Sequence, residues 1–182
     1  EQTEKIEHIP HVLYHWRAVE GSTALRAQEK HYAHQRAVEV LSDAVTRRNL
    51  SAEILETDLG AYHRIRYDLP SPVPKVSVII PTKDRVDLLS VCLNGILEKT
   101  KYENLEILVV DNNSVEAGTF EYFEMMEKNG KVSILKFPGE FNFSAINNFA
   151  VSKAKGEVLV LLNNDIEVIS EGWLRELVSQ AN

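Results

Sequence analysis

The chain has 182 residues, 44% of them hydrophobic and 26% charged, a balance that supports a packed core and argues against intrinsic disorder. Its formal net charge of -7 excludes a generic nucleic-acid binder, because phosphate backbones are engaged by clustered Lys and Arg that no segment supplies. An anionic ligand would need a cation between itself and the protein.

The chain opens at Glu1-Gln2-Thr3 without Met and closes at Asn182 just after a helical pattern, so the expectation is an excerpt of a longer polypeptide. The run from His8 to Arg17 contains His8, His11 and His15, a spacing compatible with zinc. Pro10 interrupts any helix there and no Cys is nearby, so these are read as packing or surface histidines. Ala33, Ala37, Val40, Leu41, Ala44 and Val45 repeat with helical spacing, and Asn49 is a suitable cap. Residues 51–57 and 61–67 flank Asp58-Leu59-Gly60 and read as a hairpin. Pro70, Pro72 and Pro74 exclude helix and mark the boundary between an N-terminal helix-and-hairpin extension, residues 1–70, and a second domain, residues 75–182.

Beyond the prolines, apolar runs at 76–80, 105–110, 132–135 and 158–162 read as buried strands of a mostly parallel sheet. Leu88, Leu89, Cys92, Leu93, Ile96 and Leu97 form one helical stripe. A helix over 120–128 closes at Gly130, another begins at Ser144 as N-cap and carries Ala145, Ile146, Phe149 and Ala150, and a last one covers 173–178. Four strand–helix units in series predict an α/β class domain with a doubly wound sheet. Cys92 is the only cysteine, so no internal disulfide forms and a reducing compartment fits. No apolar run reaches the roughly 20 residues needed to cross a bilayer and no charged-then-apolar leader opens the chain. The expected location is cytoplasmic, with a peripheral position at the inner face of a membrane left open.

Ligands of such sheets bind beyond the carboxyl ends of the strands. The loops there are Pro81-Thr82-Lys83-Asp84-Arg85, Asp111-Asn112-Asn113-Ser114, residues 137–143, and Asn163-Asn164-Asp165, read together as rich in carboxylates and amides. None carries a Gly-rich dinucleotide fingerprint or a P-loop, which removes support for dehydrogenases and P-loop kinases. A strand-end carboxylate can instead hold diphosphate through Mg²⁺ or Mn²⁺, which take oxygen ligands. Lys83 and Arg85 are candidate phosphate partners. Taken alone, Asp111 reads first as an acid that bonds the backbone of Asn113 or Ser114 within its own turn.

The runs 76–85, 107–114 and 161–168, in this order and spacing, resemble glycosyltransferase family 2 with its GT-A fold, the nucleotide-diphospho-sugar transferase-like architecture. The resemblance covers residues 75–182 and implies the donor-binding part of a domain that is incomplete here. It implies nucleotide contacts at Pro81, Thr82 and Asp84, with Arg85, Asn113 and Asn164 alongside, and an acid that hydrogen-bonds the base at Asp111. Asn163 and Asp165 occupy the two ends of the family's DxD metal motif, so the implied cofactor is a divalent metal, Mn²⁺ or Mg²⁺. Asn163 is a neutral ligand, which leaves Asp165 to supply the charge. Asn147 and Asn148 match a region near the sugar nucleotide, although Asn on a helix also bonds locally.

The resemblance further implies inverting transfer of a sugar from a nucleotide-diphosphate donor to a glycan or lipid-linked glycan acceptor, in bacterial polysaccharide synthesis of the O-antigen type. The general base is expected beyond Asn182, and the histidine-containing run resembles the stretch preceding the catalytic domain in large multidomain enzymes. Two other classes stay open. A nucleotidyltransferase normally opens with a Gly-rich basic loop, which 81–85 is not. A non-catalytic scaffold of a polysaccharide assembly complex predicts no effect of Asp111→Ala or Asp165→Ala on nucleotide binding.

Overall fold

The computed structural model describes residues 7–15, 17, 31–57 and 62–181. The chain divides into two compact units, Glu1–Arg66 and Tyr67–Asn182.

The first unit carries helix α1 (His31–Arg47), strand β1 (Ala52–Glu56) and all but the last residue of strand β2 (His63–Tyr67), and the two strands form a two-stranded sheet. Asn49 takes a left-handed φ of 55°, and the Leu50 amide reaches back to the Val45 carbonyl at 3.1 Å, which ends α1. The turn assigned to Asp58-Leu59-Gly60 lies outside the described residues.

The second unit contains β3 (Val76–Thr82), α2 (Val86–Lys99), β4 (Leu105–Asp111), α3 (Ala117–Glu127), β5 (Val132–Lys136), α4 (Phe143–Val151), β6 (Val158–Leu161) and α5 (Trp173–Ala181). Its four strands are parallel in the order β5-β4-β3-β6. The side chains of β3 and β4 are almost entirely buried, as the unbroken Val/Ile/Leu runs require when helices cover both sheet faces. On one face, Val76, Val78 and Ile80 pack with Leu89, Cys92 and Leu93 of α2, Phe123 of α3 and Leu174 of α5. On the other face, Ile79, Leu108 and Val110 meet Ile146 and Ala150 of α4.

The strand order explains this division. The chain steps from β3 to β4 to β5 in one direction, then returns through α4 to lay β6 on the far side of β3. Reversing direction with crossovers of one hand moves the connecting helix to the opposite face. The return closes tightly at the opposite end of the sheet: the Gly156 amide donates to Ser77 Oγ at 2.8 Å. A Cβ at Gly156 would lie 2.5 Å from the Ser77 nitrogen.

Two helix starts differ from the expectations. Helix α3 begins at Ala117, earlier than residue 120, and the amides of Val115 and Glu116 that lead into it are held by Asp84 from another loop. Helix α4 is capped by Asn142, not Ser144: the Asn142 carbonyl oxygen accepts the Ala145 amide at 3.0 Å, which places Ser144 inside the first turn.

Candidate functional site

The sheet reverses between β3 and β6, and a crevice opens there beyond the carboxyl ends of the strands. Pairing of β6 with β3 ends at Ile79↔Leu161, whereas pairing of β4 continues through Thr82↔Asp111. Pro81 and Thr82 therefore extend past β6 with one side uncovered. The resulting cleft is lined by Pro81, Thr82, Lys83, Asn112, Phe141, Ile146 and Asn164. A second cleft lies at the ends of β4 and β5, where Asp111, Asn113, Ser114 and Lys136 meet Phe137.

Thr82 is buried, and its hydroxyl accepts from Asn164 Nδ2 at 3.0 Å, a bond across the reversal point. Asn163 and Asp165, on either side of Asn164, are exposed. The Asn163 backbone carbonyl lies 3.7 Å from Cys92 Sγ, which ties this loop to α2. Among the described residues no group of three or more His, Cys, Asp or Glu is placed to hold a metal ion, and His8, His11 and His15 are exposed.

Asp111 ends β4 and is 5% exposed. One of its oxygens accepts the Ser114 amide at 3.0 Å, so the local turn bond that its sequence context allows is present. The other takes no hydrogen bond from a described residue. Asn112 is buried beside it and donates from Nδ2 to the carbonyls of Phe137, at 3.2 Å, and Gly139, at 2.8 Å. Asn113, left-handed at φ 63°, donates to the same Gly139 carbonyl at 3.0 Å. Two adjacent amides thus clamp the loop between β5 and α4.

Asp84 serves the frame of the site. Its Oδ1 accepts the amides of Val115 and Glu116, both at 2.9 Å, while its own amide donates to Ser114 Oγ at 2.7 Å. The Glu116 amide, assisted by Val115, Thr119 and the charge of Lys83, holds the Asp84 carboxyl below its ordinary range against the opposing effect of desolvation. These bonds hold Asp84 and Arg85 at φ 51° and 54°, a costly conformation for two successive non-glycine residues. The Arg85 guanidinium grips Asp87 through two bonds of 3.0 and 2.8 Å, and Lys83 is exposed at the cleft mouth.

Of the residues expected at the site, Pro81, Thr82 and Asn164 line the first cleft and Asp111 and Asn113 the second. Asp84 and Arg85 line neither, and Asn148 is exposed on α4 outside both. Neighbouring Asn147 is buried; its Nδ2 donates to the Phe143 carbonyl at 2.8 Å, and its Oδ1 has no partner. Asn112, Phe141 and Ile146 were not singled out from sequence. Their signal was position alone: Asn112 directly follows a strand, and Phe141 and Ile146 belong to the third strand-end loop and the helix after it.

Residues 77–182 match the glycosyl transferase family 2 model. The chain belongs to that family. The family assignment covers β3 to α5, the whole of the parallel sheet with both clefts. The chain is 40% identical over 181 residues to the O-antigen biosynthesis protein RfbC of Myxococcus xanthus, covering 100% of this chain and 14% of that protein. It is 38% identical over 182 residues to the uncharacterized protein y4gI of Sinorhizobium fredii (strain NBRC 101917 / NGR234), covering 99% of this chain and 20% of that one. The chain thus spans a fifth or less of the length of these curated relatives. Among solved structures it resembles the mannosyltransferase PcManGT of Pyrobaculum calidifontis in complex with GDP-Man and Mn²⁺, with a TM-score of 0.56 and 20% identity over 82% of this chain and 41% of that one. The shared architecture is the GT-A glycosyltransferase fold. No helix among the described residues is long and apolar enough to cross a membrane.

Proposed function

We propose that residues 75–182 bind a nucleoside-diphosphate sugar across the carboxyl ends of β3, β4 and β6, with residues 1–70 as an extension. The protein to which they belong transfers that sugar to a glycan or lipid-linked glycan acceptor in cell-surface polysaccharide synthesis. A lipid-linked acceptor would put the reaction at the cytoplasmic face of a membrane. The observation that carries the reading is the pair of clefts beyond the carboxyl ends of the strands, one at the reversal between β3 and β6 and one at the ends of β4 and β5, walled by Thr82, Asp111, Asn112 and Asn164 in a chain of this family.

In this reading the open oxygen of Asp111 accepts from the edge of the base, and Lys83 faces the phosphates. The exposed Asp165 carboxylate and Asn163 amide oxygen form an oxygen-only donor set beside the cleft, which fits Mn²⁺ or Mg²⁺ provided that phosphate oxygens complete the shell. Bound there, the cation would supply positive charge to a departing diphosphate. The presence of Mn²⁺ in the complex of the similarly folded PcManGT supports a divalent metal in this reading. Thr82 positions the Asn163-Asn164-Asp165 turn through its bond to Asn164. A single carboxylate predicts weak metal binding without nucleotide.

Calorimetric titration of UDP, dTDP and GDP, with Mn²⁺ and then with chelator, tests the proposal. Metal-dependent binding of one nucleotide is expected, with Asp111→Ala causing a large loss of affinity and Asp165→Ala abolishing the dependence on metal. Undiminished binding by both variants would overturn the residue roles, and no binding of any nucleotide would favour a scaffold.

A further inference from the structure

Phe141 is an aromatic residue that the fold does not bury. It is 76% exposed, yet both ends of the segment that carries it are fixed. Upstream, Asn112 and Asn113 both donate to the Gly139 carbonyl, at 2.8 and 3.0 Å, and Phe137 packs so closely over Gly139 that a Cβ there would lie 2.8 Å from its ring. Downstream, Asn142 caps α4. The loop is thus held by hydrogen bonds, not by burial of the Phe141 ring, and it presents that ring to solvent at the first cleft.

The cleft itself has two characters. Pro81, Ile146 and Phe141 give apolar surface, Thr82, Asn112 and Asn164 give groups that donate or accept hydrogen bonds, and Lys83 at the mouth gives the charge assigned to the phosphates. Such a combination suits a ligand with one apolar face and a polar rim. A diphosphate has no apolar face, and the proposed base contact, Asp111, lines the other cleft. A pyranose fits, since its C–H face can lie on an aromatic ring while its hydroxyls hydrogen-bond. The cleft also borders Asn164, between the two proposed metal ligands, so a diphosphate held by the metal there would bring its attached sugar to the cleft.

We infer that Phe141 is the stacking platform for the donor's sugar ring, so that it sets affinity for the sugar without contributing to affinity for the nucleotide. This inference rests on the donor-site reading. Phe141 is exposed, so its substitution leaves the fold intact.

The test titrates the unmodified chain, Phe141→Ala and Phe141→Trp with the nucleoside diphosphate that binds and with its sugar conjugates: UDP-glucose, UDP-galactose and UDP-N-acetylglucosamine, dTDP-rhamnose or GDP-mannose. Phe141→Ala is expected to bind the free nucleotide as before and its cognate conjugate roughly three- to tenfold more weakly, with Phe141→Trp near the unmodified value. Unchanged conjugate affinity in Phe141→Ala would overturn the inference. So would an equal loss for nucleotide and conjugate, which would assign the ring to the base. If the unmodified chain binds no nucleotide, the donor-site reading itself fails and the inference falls with it, a result distinct from either outcome in the variants.

Discussion

The Asp84 carboxylate accepts the Glu116 amide at 2.9 Å, so the loop after the first strand of the parallel sheet caps the helix that follows the second. The same oxygen accepts the Val115 amide at 2.9 Å. Asp84→Ala is therefore expected to lower the thermal midpoint and fray the first turn of α3, with Asp84→Asn milder because an amide oxygen still accepts. The Asp84 pKa is depressed below its ordinary value of 3.8 in the fold. Its contribution is complete above that value and is lost as pH falls through the lower folded value. Thermal unfolding followed between pH 7 and pH 2 should show a smaller acid-induced loss in Asp84→Ala than in the unmodified chain.

Asn112 is expected to govern the order of the β5–α4 loop. It is 4% exposed and donates both of its hydrogen bonds into that loop. Asn112→Ala leaves the Phe137 carbonyl without its side-chain donor and the Gly139 carbonyl with Asn113 alone, and should cost about 1–3 kcal/mol in urea unfolding. Asn112→Asp should cost more, because a carboxylate would face two carbonyl oxygens. Amide exchange across residues 137–142 should accelerate in both variants, and unchanged exchange would remove the clamp from the account.

The sheet was legible because each buried strand reads as a short apolar run and each helix as a 3.6-period stripe. Leu89, Cys92, Leu93 and Ile96, read as one stripe, are all buried against the sheet. The position of Asp111 at a strand end was legible for the same reason, since the apolar run stops at Val110. Helix starts were less so. The cap of α3 lies 32 residues from the amide it serves, and no local pattern encodes such a partner. At α4 two residues of capping type, Asn142 and Ser144, stand two positions apart, and only the fitted turn selects the first. Strand order was also hidden, because it is decided by how crossovers pack. For that reason Asn112 and Phe141, which owe their importance to what the third loop does, were passed over.

Cys92 is expected to be inert in the folded chain. Burial pushes its thiol up to about 11, and the nearby Asp165 charge acts in the same direction. Only thiolate reacts, so iodoacetamide at pH 8 should label Cys92 far more slowly than a free cysteine, and labelling should recover in denaturant. The fold retains a proton that the unfolded chain releases near 9.0, so stability is undiminished below that pH and declines as pH rises toward 11. Comparing Cys92→Ala with the unmodified chain between pH 8 and pH 10.5 isolates this slope from lysine titration. Rapid native labelling would show that the helix face carrying Cys92 opens.

The bond between Thr82 and Asn164 couples the proposed nucleotide loop to the proposed metal turn, and its loss should therefore be visible in metal dependence before it is visible in stability. Thr82→Val keeps the shape of a 5%-exposed side chain and removes the oxygen that accepts from Asn164 at 3.0 Å. The hydroxyl also donates to the Asp84 carbonyl at 3.3 Å, so the stability cost should be about 1–2 kcal/mol, the ordinary net contribution of two such bonds. Asn163 and Asp165 flank Asn164, so a turn released from Thr82 presents its donors less often in one arrangement. The Mn²⁺ concentration needed for half-maximal nucleotide binding should rise in Thr82→Val and return toward normal in Thr82→Ser, which restores the hydroxyl. If Asn164 acts through this bond alone, Asn164→Ala added to Thr82→Val should cause little further change, whereas additive losses would mean that Asn164 contacts the ligand independently.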